Sequence, residues 1–177
     1  MLEKLRKIII GSYKFEESIE DLRKRGVKIG NNVDIYSSNI DQGHGFLIKI
    51  GNDVTITNAT ILSHDASTKK FLGYSKVGKV TIGDRVFIGY GSIILPGVTI
   101  GNDVIIGAGA VVRNSVPDNS VVIGNPGQIV CTVEEYLNKN KQKMQSVPVY
   151  KTYWRNKKQS EKEQMYRELN NIIGYDI

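Results

Sequence analysis

Two histidines, His44 and His64, are the side chains of this sequence that can take up and release a proton near neutral pH without help from their surroundings. Each has an acidic neighbour, Asp41 three residues before His44 and Asp65 directly after His64. A carboxylate beside a histidine base orients the ring through its other nitrogen, so both aspartates are candidates for that role. Each also has a plainer use, since Asp65 could cap a turn and Asp41 could stand in solvent. The pairing suits general-base chemistry at a hydroxyl or an amine. Other chemistries are poorly served. Cys131 is the sole thiol, which excludes an internal disulfide or a cysteine metal cluster, and it stands far from both histidines in sequence. A zinc hydratase would need three histidine ligands and an open fourth position, more than two histidines per chain supply, so no metal is expected. Gly89-Tyr90-Gly91 and Gly107-Ala108-Gly109 both lack the third glycine of a dinucleotide fingerprint and read as corners.

The elements that must hold these residues repeat every six positions. Ile82, Ile88, Ile94, Ile100, Ile106 and Val112 keep that spacing unbroken, and Ile29 with Ile35, then Ile50, Ile56 and Leu62, keep it in other phases. A second aliphatic follows four places later at Val33, Val54, Val86, Val98, Val104 and Ala110. Glycine follows the marked aliphatic at Gly30, Gly51, Gly83, Gly89, Gly101 and Gly107, often with Asn or Asp next. Such a hexad predicts a short strand and a sharp corner, with Gly, Asn and Asp tolerating the left-handed backbone region. Three hexads close one triangular coil, and stacked coils bury an aliphatic column that no single repeat could bury. The histidines lie where this period breaks, His44 between Ile35 and Ile50 and His64 between Leu62 and Ile82. Breaks in a repeating support are where chemistry is expected. Asn39 and Asp41 share the first break with His44.

The Ile-Gly runs, Ile-Gly-Ala-Gly-Ala-Val-Val at 106–112 and Gly-Asn-Pro-Gly at 124–127 resemble the hexapeptide-repeat acyltransferases, in particular their sugar and surface-polysaccharide O-acetyltransferase branch. The resemblance covers residues 27–130 strongly and the tail from 131 more weakly. It implies a mainly β chain, a left-handed parallel β-helix, assembled as a homotrimer with active sites between neighbours. It implies acetyl-CoA as the acyl donor and a sugar, nucleotide sugar or polysaccharide hydroxyl as the acceptor. In Leu-Ser-His-Asp, His64 matches the histidine that serves as general base. His44 stands before Ile50-Gly51 as the base of serine acetyltransferases stands before its own Ile-Gly, so it is the rival base and otherwise lines the acceptor pocket with Asn39 and Asp41. Tyr90 matches the residue whose backbone N–H receives the thioester oxyanion, with Asp65 beside His64 as the third catalytic candidate. Gly89, Gly107 and Ala108 match residues beside the pantetheine arm. The common Thr-Lys after Val-Val is here Arg113-Asn114, and Gln128 and Cys131 replace basic residues, which leaves Arg113 as the cation for the coenzyme phosphates. Transfer to an amino-sugar nitrogen, a serine-type reaction and a non-catalytic solenoid module are the alternatives.

The formal net charge of +6 does not belong to the repeats. Residues 29–130 hold seven Lys/Arg and seven Asp/Glu, and the excess lies in 1–28 and 131–177. A nucleic-acid partner therefore loses its support, while the basic ends suit a peripheral contact with an anionic membrane or glycan. Residues 1–26 are expected to form a helical cap, and 131–177 a helical extension. Capping-box patterns at Thr132/Glu135 and Ser160/Glu163 start its helices, and Met165, Tyr166, Leu169, Ile172 and Ile173 form one apolar face. Pro148 to Trp154 reads as aromatic packing or a sugar-stacking surface. A protruding loop is expected at about 64–79, with Phe71, Leu72 and Tyr74 seated on a neighbouring protomer. No apolar stretch approaches the length of a membrane span or a signal peptide, and a cytoplasmic protein is expected.

Overall fold

The computed structural model describes residues 17–177, so of the expected cap over 1–26 only the part from 17 onward is seen; residues 1–16 lie outside the described residues. The described residues divide into two compact units, 17–133 and 134–177.

The first unit opens with helix α1 (Ile19–Lys24), capped by Ser18, whose hydroxyl accepts the Asp21 N–H; Leu22 is its buried residue. Short strands then wind through three parallel sheets. The first coil is β1 (Lys28–Ile29), β2 (Asp34–Tyr36) and β3 (Asn39–Ile40), and the second is β4 (Ile48–Ile50), β5 (Thr55–Thr57) and β6 (Thr60–Ile61). A hairpin of β7 (His64–Asp65) and β8 (Lys76–Val77) leaves the stack, with a short helix α2 (Lys69–Leu72) between its strands. The third coil is β9 (Val80–Ile82), β10 (Phe87–Ile88) and β11 (Ile93–Ile94). The fourth is β12 (Thr99–Ile100), β13 (Val104–Ile106) and β14 (Val111–Val112). The sheets run β1-β4-β9-β12, β2-β5-β10-β13-β15 and β3-β6-β11-β14, where β15 (Ser120–Ile123) is closed off by antiparallel β16 (Gln128–Thr132).

Register explains burial. Ile56, Ile88 and Ile106 pair in one sheet and Ile50, Ile82 and Ile100 in another, all at most 1% exposed. Burying one such side chain contributes about 1.5–3 kcal/mol, so the column is the main source of cohesion. One expectation fails at Leu62. Ile61, not Leu62, pairs with Ile94 and is fully buried, because the corner at Asn58 (φ 41°) is one residue shorter than the period requires. The corners also refine the glycine reading. At the corners after Gly30, Gly51, Gly83 and Gly101 the left-handed residue is Asn32, Asp53, Arg85 and Asp103 in turn, each two places after the glycine. At the preceding glycine the constraint is the next coil: a Cβ on Gly83 would lie 2.6 Å from the Gly101 carbonyl oxygen. Asn52, Asp84, Asn102 and Asp118 each accept a backbone N–H from the previous coil, linking the coils corner to corner.

In the second unit, α3 (Val133–Lys143) follows Thr132, and β17 (Val149–Tyr150) pairs with β18 (Tyr175–Asp176). Lys157 is buried against Asp176 at 2.7 Å. Helix α4 (Gln159–Glu168) does not start at Ser160. Its boundary is set two residues earlier, where Glu161 accepts the Lys158 N–H at 2.7 Å. Nor does the expected apolar face form one surface. The helix ends at Glu168, and Tyr166 and Ile173 are 87% and 79% exposed. Tyr153 and Trp154 are exposed too, with the Arg155 guanidinium over the indole.

Candidate active site

The site is built where the third sheet hands the chain to the first. After β3, the Asp41 N–H still donates to Ile61 O at 2.9 Å, and then the chain leaves the coil and turns through Gly45–Leu47. Asp41 Oδ1 accepts the N–H groups of Gly43 and His44, each at 3.0 Å. One coil on, the chain leaves β6 at the same corner, and Asp41 Oδ2 accepts the N–H groups of Ser63 and His64, also at 3.0 Å. The same oxygen lies 2.5 Å from Nδ1 of the His64 ring. One wholly buried carboxylate thus ties both breaks of the repeat together.

Burial pushes the Asp41 carboxyl up, but the hydrogen bonds from the His64 ring and from the backbone at His44 and Ser63 outweigh it and hold it below its ordinary value. It is therefore a fixed anion beside His64. With Nδ1 facing that anion, the ring holds its N–H there and its lone pair is on Nε2. The His64 side chain is 34% exposed.

Of the two aspartates considered as the orienting group, Asp41 makes this contact and Asp65 does not. Asp65 pairs with Lys76 at 2.5 Å and accepts the Ser67 N–H at 2.8 Å, so it fastens the base of the protruding hairpin. The Lys76 ammonium and the Ser67 N–H lower its carboxyl to about 2. Adjacency in sequence misleads here because successive strand residues point to opposite faces. His44 lies beside His64, ring centroids 4.8 Å apart. Asn39 sits on the third sheet two residues before Asp41, paired with Thr60.

Two supports were not foreseen. The Arg25 guanidinium donates to Asp41 O at 2.7 Å and Ile40 O at 3.3 Å while paired with Glu17, so it holds the strand end that carries the carboxylate. Ser63 is fully buried, and its hydroxyl donates to His44 O at 3.0 Å. Its place in Leu-Ser-His-Asp was the available signal.

The donor-side candidates separate onto two corners. Arg113 follows β14 at the corner that carries His64, whereas Gly89, Tyr90, Gly107 and Ala108 occupy the corner between the second and third sheets. Within one chain the structure does not bring Tyr90 to His64's corner. At the Tyr90 corner Gly109 N–H donates to Tyr90 O at 2.8 Å, and the outer edge is open at Gly91 and Gly109, where added Cβ atoms would meet nothing within 4 Å. Such a strip suits a chain of amides laid along it. Asp41, His44 and His64 also offer ligand-type atoms within 4.8 Å of one another. The carboxylate, however, already accepts four backbone N–H groups and an imidazole, so its lone pairs are committed to hydrogen bonds.

A three-sided parallel coil built from hexads is the architecture of the hexapeptide-repeat class. The description "Bacterial transferase hexapeptide (six repeats)" matches residues 79–114. Protein CapG of Staphylococcus aureus is 41% identical over 144 residues, spanning 76% of this chain and 83% of CapG. YvoF of Bacillus subtilis (strain 168), named for acetyl transfer, is 39% identical over 89 residues, 50% of this chain and 49% of YvoF. Among solved structures, the hexapeptide-repeat containing acetyltransferase VCA0836 from Vibrio cholerae has the same fold, with a TM-score of 0.53 at 21% identity over 72% of this chain and 86% of that one. The chain belongs to the bacterial hexapeptide-repeat transferase family, and its fold is the left-handed parallel β-helix. Among the described residues no helix is long and apolar enough to cross a membrane.

Proposed function

We propose that this chain transfers an acetyl group from acetyl-CoA to a hydroxyl of a sugar, nucleotide sugar or polysaccharide, with His64 as the general base. The observation that carries the reading is the 2.5 Å contact between His64 Nδ1 and Asp41 Oδ2, which leaves Nε2 as the proton acceptor of a ring that is 34% exposed. His64 takes the hydroxyl proton as the oxygen attacks the thioester carbonyl. The Tyr90 backbone N–H receives the oxyanion that develops there. His64 then returns the proton to the departing thiolate, so no acyl-enzyme forms and Cys131 is not used. Gly89, Gly107 and Ala108 lie at this corner beside the pantetheine arm, next to the open positions Gly91 and Gly109, and Arg113 is the cation for its phosphates.

The division of these groups between two corners supports a homotrimer in which His64 of one protomer works with the Tyr90 corner of its neighbour. Asn39, Asp41 and His44 mark the acceptor side, with Asp41 acting through His64 as a positioning residue. A cytoplasmic setting goes with an acetyl-CoA donor. The test is thiol release from acetyl-CoA against a panel of sugars and nucleotide sugars, run beside His64→Ala. Turnover retained in His64→Ala would sink the assignment of the base. Release with amino sugars alone would move the reaction to nitrogen.

A further inference from the structure

Asp41 faces two imidazoles. Its Oδ2 contacts Nδ1 of His64 at 2.5 Å, and its Oδ1 lies 3.9 Å from Nδ1 of His44. That second nitrogen is buried and makes no hydrogen bond. A neutral imidazole carries one N–H and one lone pair. Beside a buried carboxylate the lone pair is repelled and the N–H attracted, so the proton is favoured on Nδ1 of both rings. Each Nε2 then presents a lone pair. The two side chains are 35% and 34% exposed, and their rings stand at 38° to one another. The anchoring done by His44 belongs to its main chain: its N–H donates to Asp41 and its carbonyl accepts from Ser63. Its ring packs near Phe46, and its Nδ1 bonds to nothing among the described residues.

We propose that His44 binds the acceptor, accepting a hydrogen bond from a hydroxyl adjacent to the one that His64 deprotonates, so that the acceptor is a vicinal diol. The inference rests on His64 being the base. Two lone pairs on neighbouring rings, polarised by one anion, match two O–H donors on neighbouring carbons, each within a hydrogen bond of about 2.8 Å. A thioester carbonyl has no donor to offer, which places the His44 ring on the acceptor side of the site.

The experiment measures thiol release from acetyl-CoA with cis- and trans-cyclohexane-1,2-diol and with cyclohexanol as bare acceptors. It uses the intact protein and the variants His44→Ala, His44→Gln and His64→Ala. Wild type is expected to prefer one diol isomer over cyclohexanol. His44→Ala should raise the KM for that diol about five- to tenfold, the loss of one hydrogen bond, with kcat held within about threefold. His44→Gln, which restores an acceptor oxygen, should recover part of the loss. Equal release with diol and mono-alcohol, including none with either, overturns the proposal, and so does a diol preference that survives in His44→Ala. Failure of the base reading looks different: diol turnover would persist in His64→Ala. The 15N spectrum of the histidine rings checks the tautomer without turnover; an Nε2–H at His44 overturns the proposal.

Discussion

Nδ1 of His64 lies 2.5 Å from Oδ2 of Asp41, a residue 23 positions earlier in the chain and one coil away in the stack. His64 and the carboxylate that contacts its ring are therefore set by the coil pitch. If Asp41 holds the ring in its working tautomer, Asp41→Asn should lower kcat with a smaller change in KM, since an amide can present an N–H to Nδ1 and reverse the ring's protonation. His64→Ala should lower turnover by about 10²–10⁴-fold, the usual contribution of a general base. Thiol release at saturating acceptor distinguishes the two. An Asp41→Asn enzyme with wild-type kcat would contradict the positioning role.

The same carboxylate gives a prediction for stability. Its pKa is lower in the folded chain than the ordinary value of 3.8. Its contribution is therefore complete above that unfolded value and is lost as the pH falls through the folded one. Asp41→Asn also sets an amide N–H₂ against buried backbone donors, a cost of about 1–3 kcal/mol. Chemical denaturation should show the variant less stable than wild type at pH 7 and the gap narrowing toward pH 2 by the part that the charge contributes. A gap of constant size would show that the charge is not involved.

Asp65→Asn tests the discarded partner. Asp65 and Lys76 form an ion pair at the base of the hairpin, with side chains 36% and 61% exposed. Exposed pairs contribute about 0–1 kcal/mol. The variant should keep kcat within about threefold, while the loop 66–79 becomes easier to cleave by protease. A loss as deep as that of His64→Ala would return Asp65 to the catalytic group.

The split between corners predicts complementation. His64→Ala and Ala108→Trp should each be inactive alone, one for want of the base and the other because a bulky ring covers the bare strip. Co-expressed, they should regain about a quarter of wild-type activity if each site draws one corner from each of two neighbours in a cyclic trimer. Light scattering on the purified protein gives the oligomeric state. Absence of rescue would place both corners' functions within one chain.

Deleting residues 68–77 removes Phe71, Leu72 and Tyr74, which are 82%, 68% and 80% exposed in the single chain. Apolar side chains at such exposure mark an interaction surface. The deletion should weaken the oligomer or slow turnover while leaving the coil's circular dichroism unchanged. Intact activity and assembly together would show the loop dispensable.

The hexads were legible because each aliphatic has one destination, the axis of the coil, and spacing alone reveals it. Leu62 escaped that rule because a corner can drop a residue and still close, which a period count does not register. The two histidines were legible as candidates, and the two breaks of the period that hold them are what the structure brings together at Asp41. The choice between Asp41 and Asp65 was not legible, since it depends on which strand lies beside which in the stack. The start of α4 was missed for a local reason: Glu161 reaches back to Lys158, a geometry that the Ser160/Glu163 pattern imitates two residues later.

The corner ladder carries one more consequence. Asp84 and Asn102 are 18 residues apart, one full coil, whereas Asn52 and Asp84 are 32 apart and still meet by the same backbone bond at 2.7 Å. The extra length between them is the hairpin excursion, and it leaves the register on either side untouched. The solenoid behaves as a rack with standard slots, in which an outgrowth of any length can be exchanged between chains provided that both of its ends return to one slot. New acceptor preferences can arise by trading such an outgrowth, with the hydrophobic axis and the Asp41 anchor left as they are.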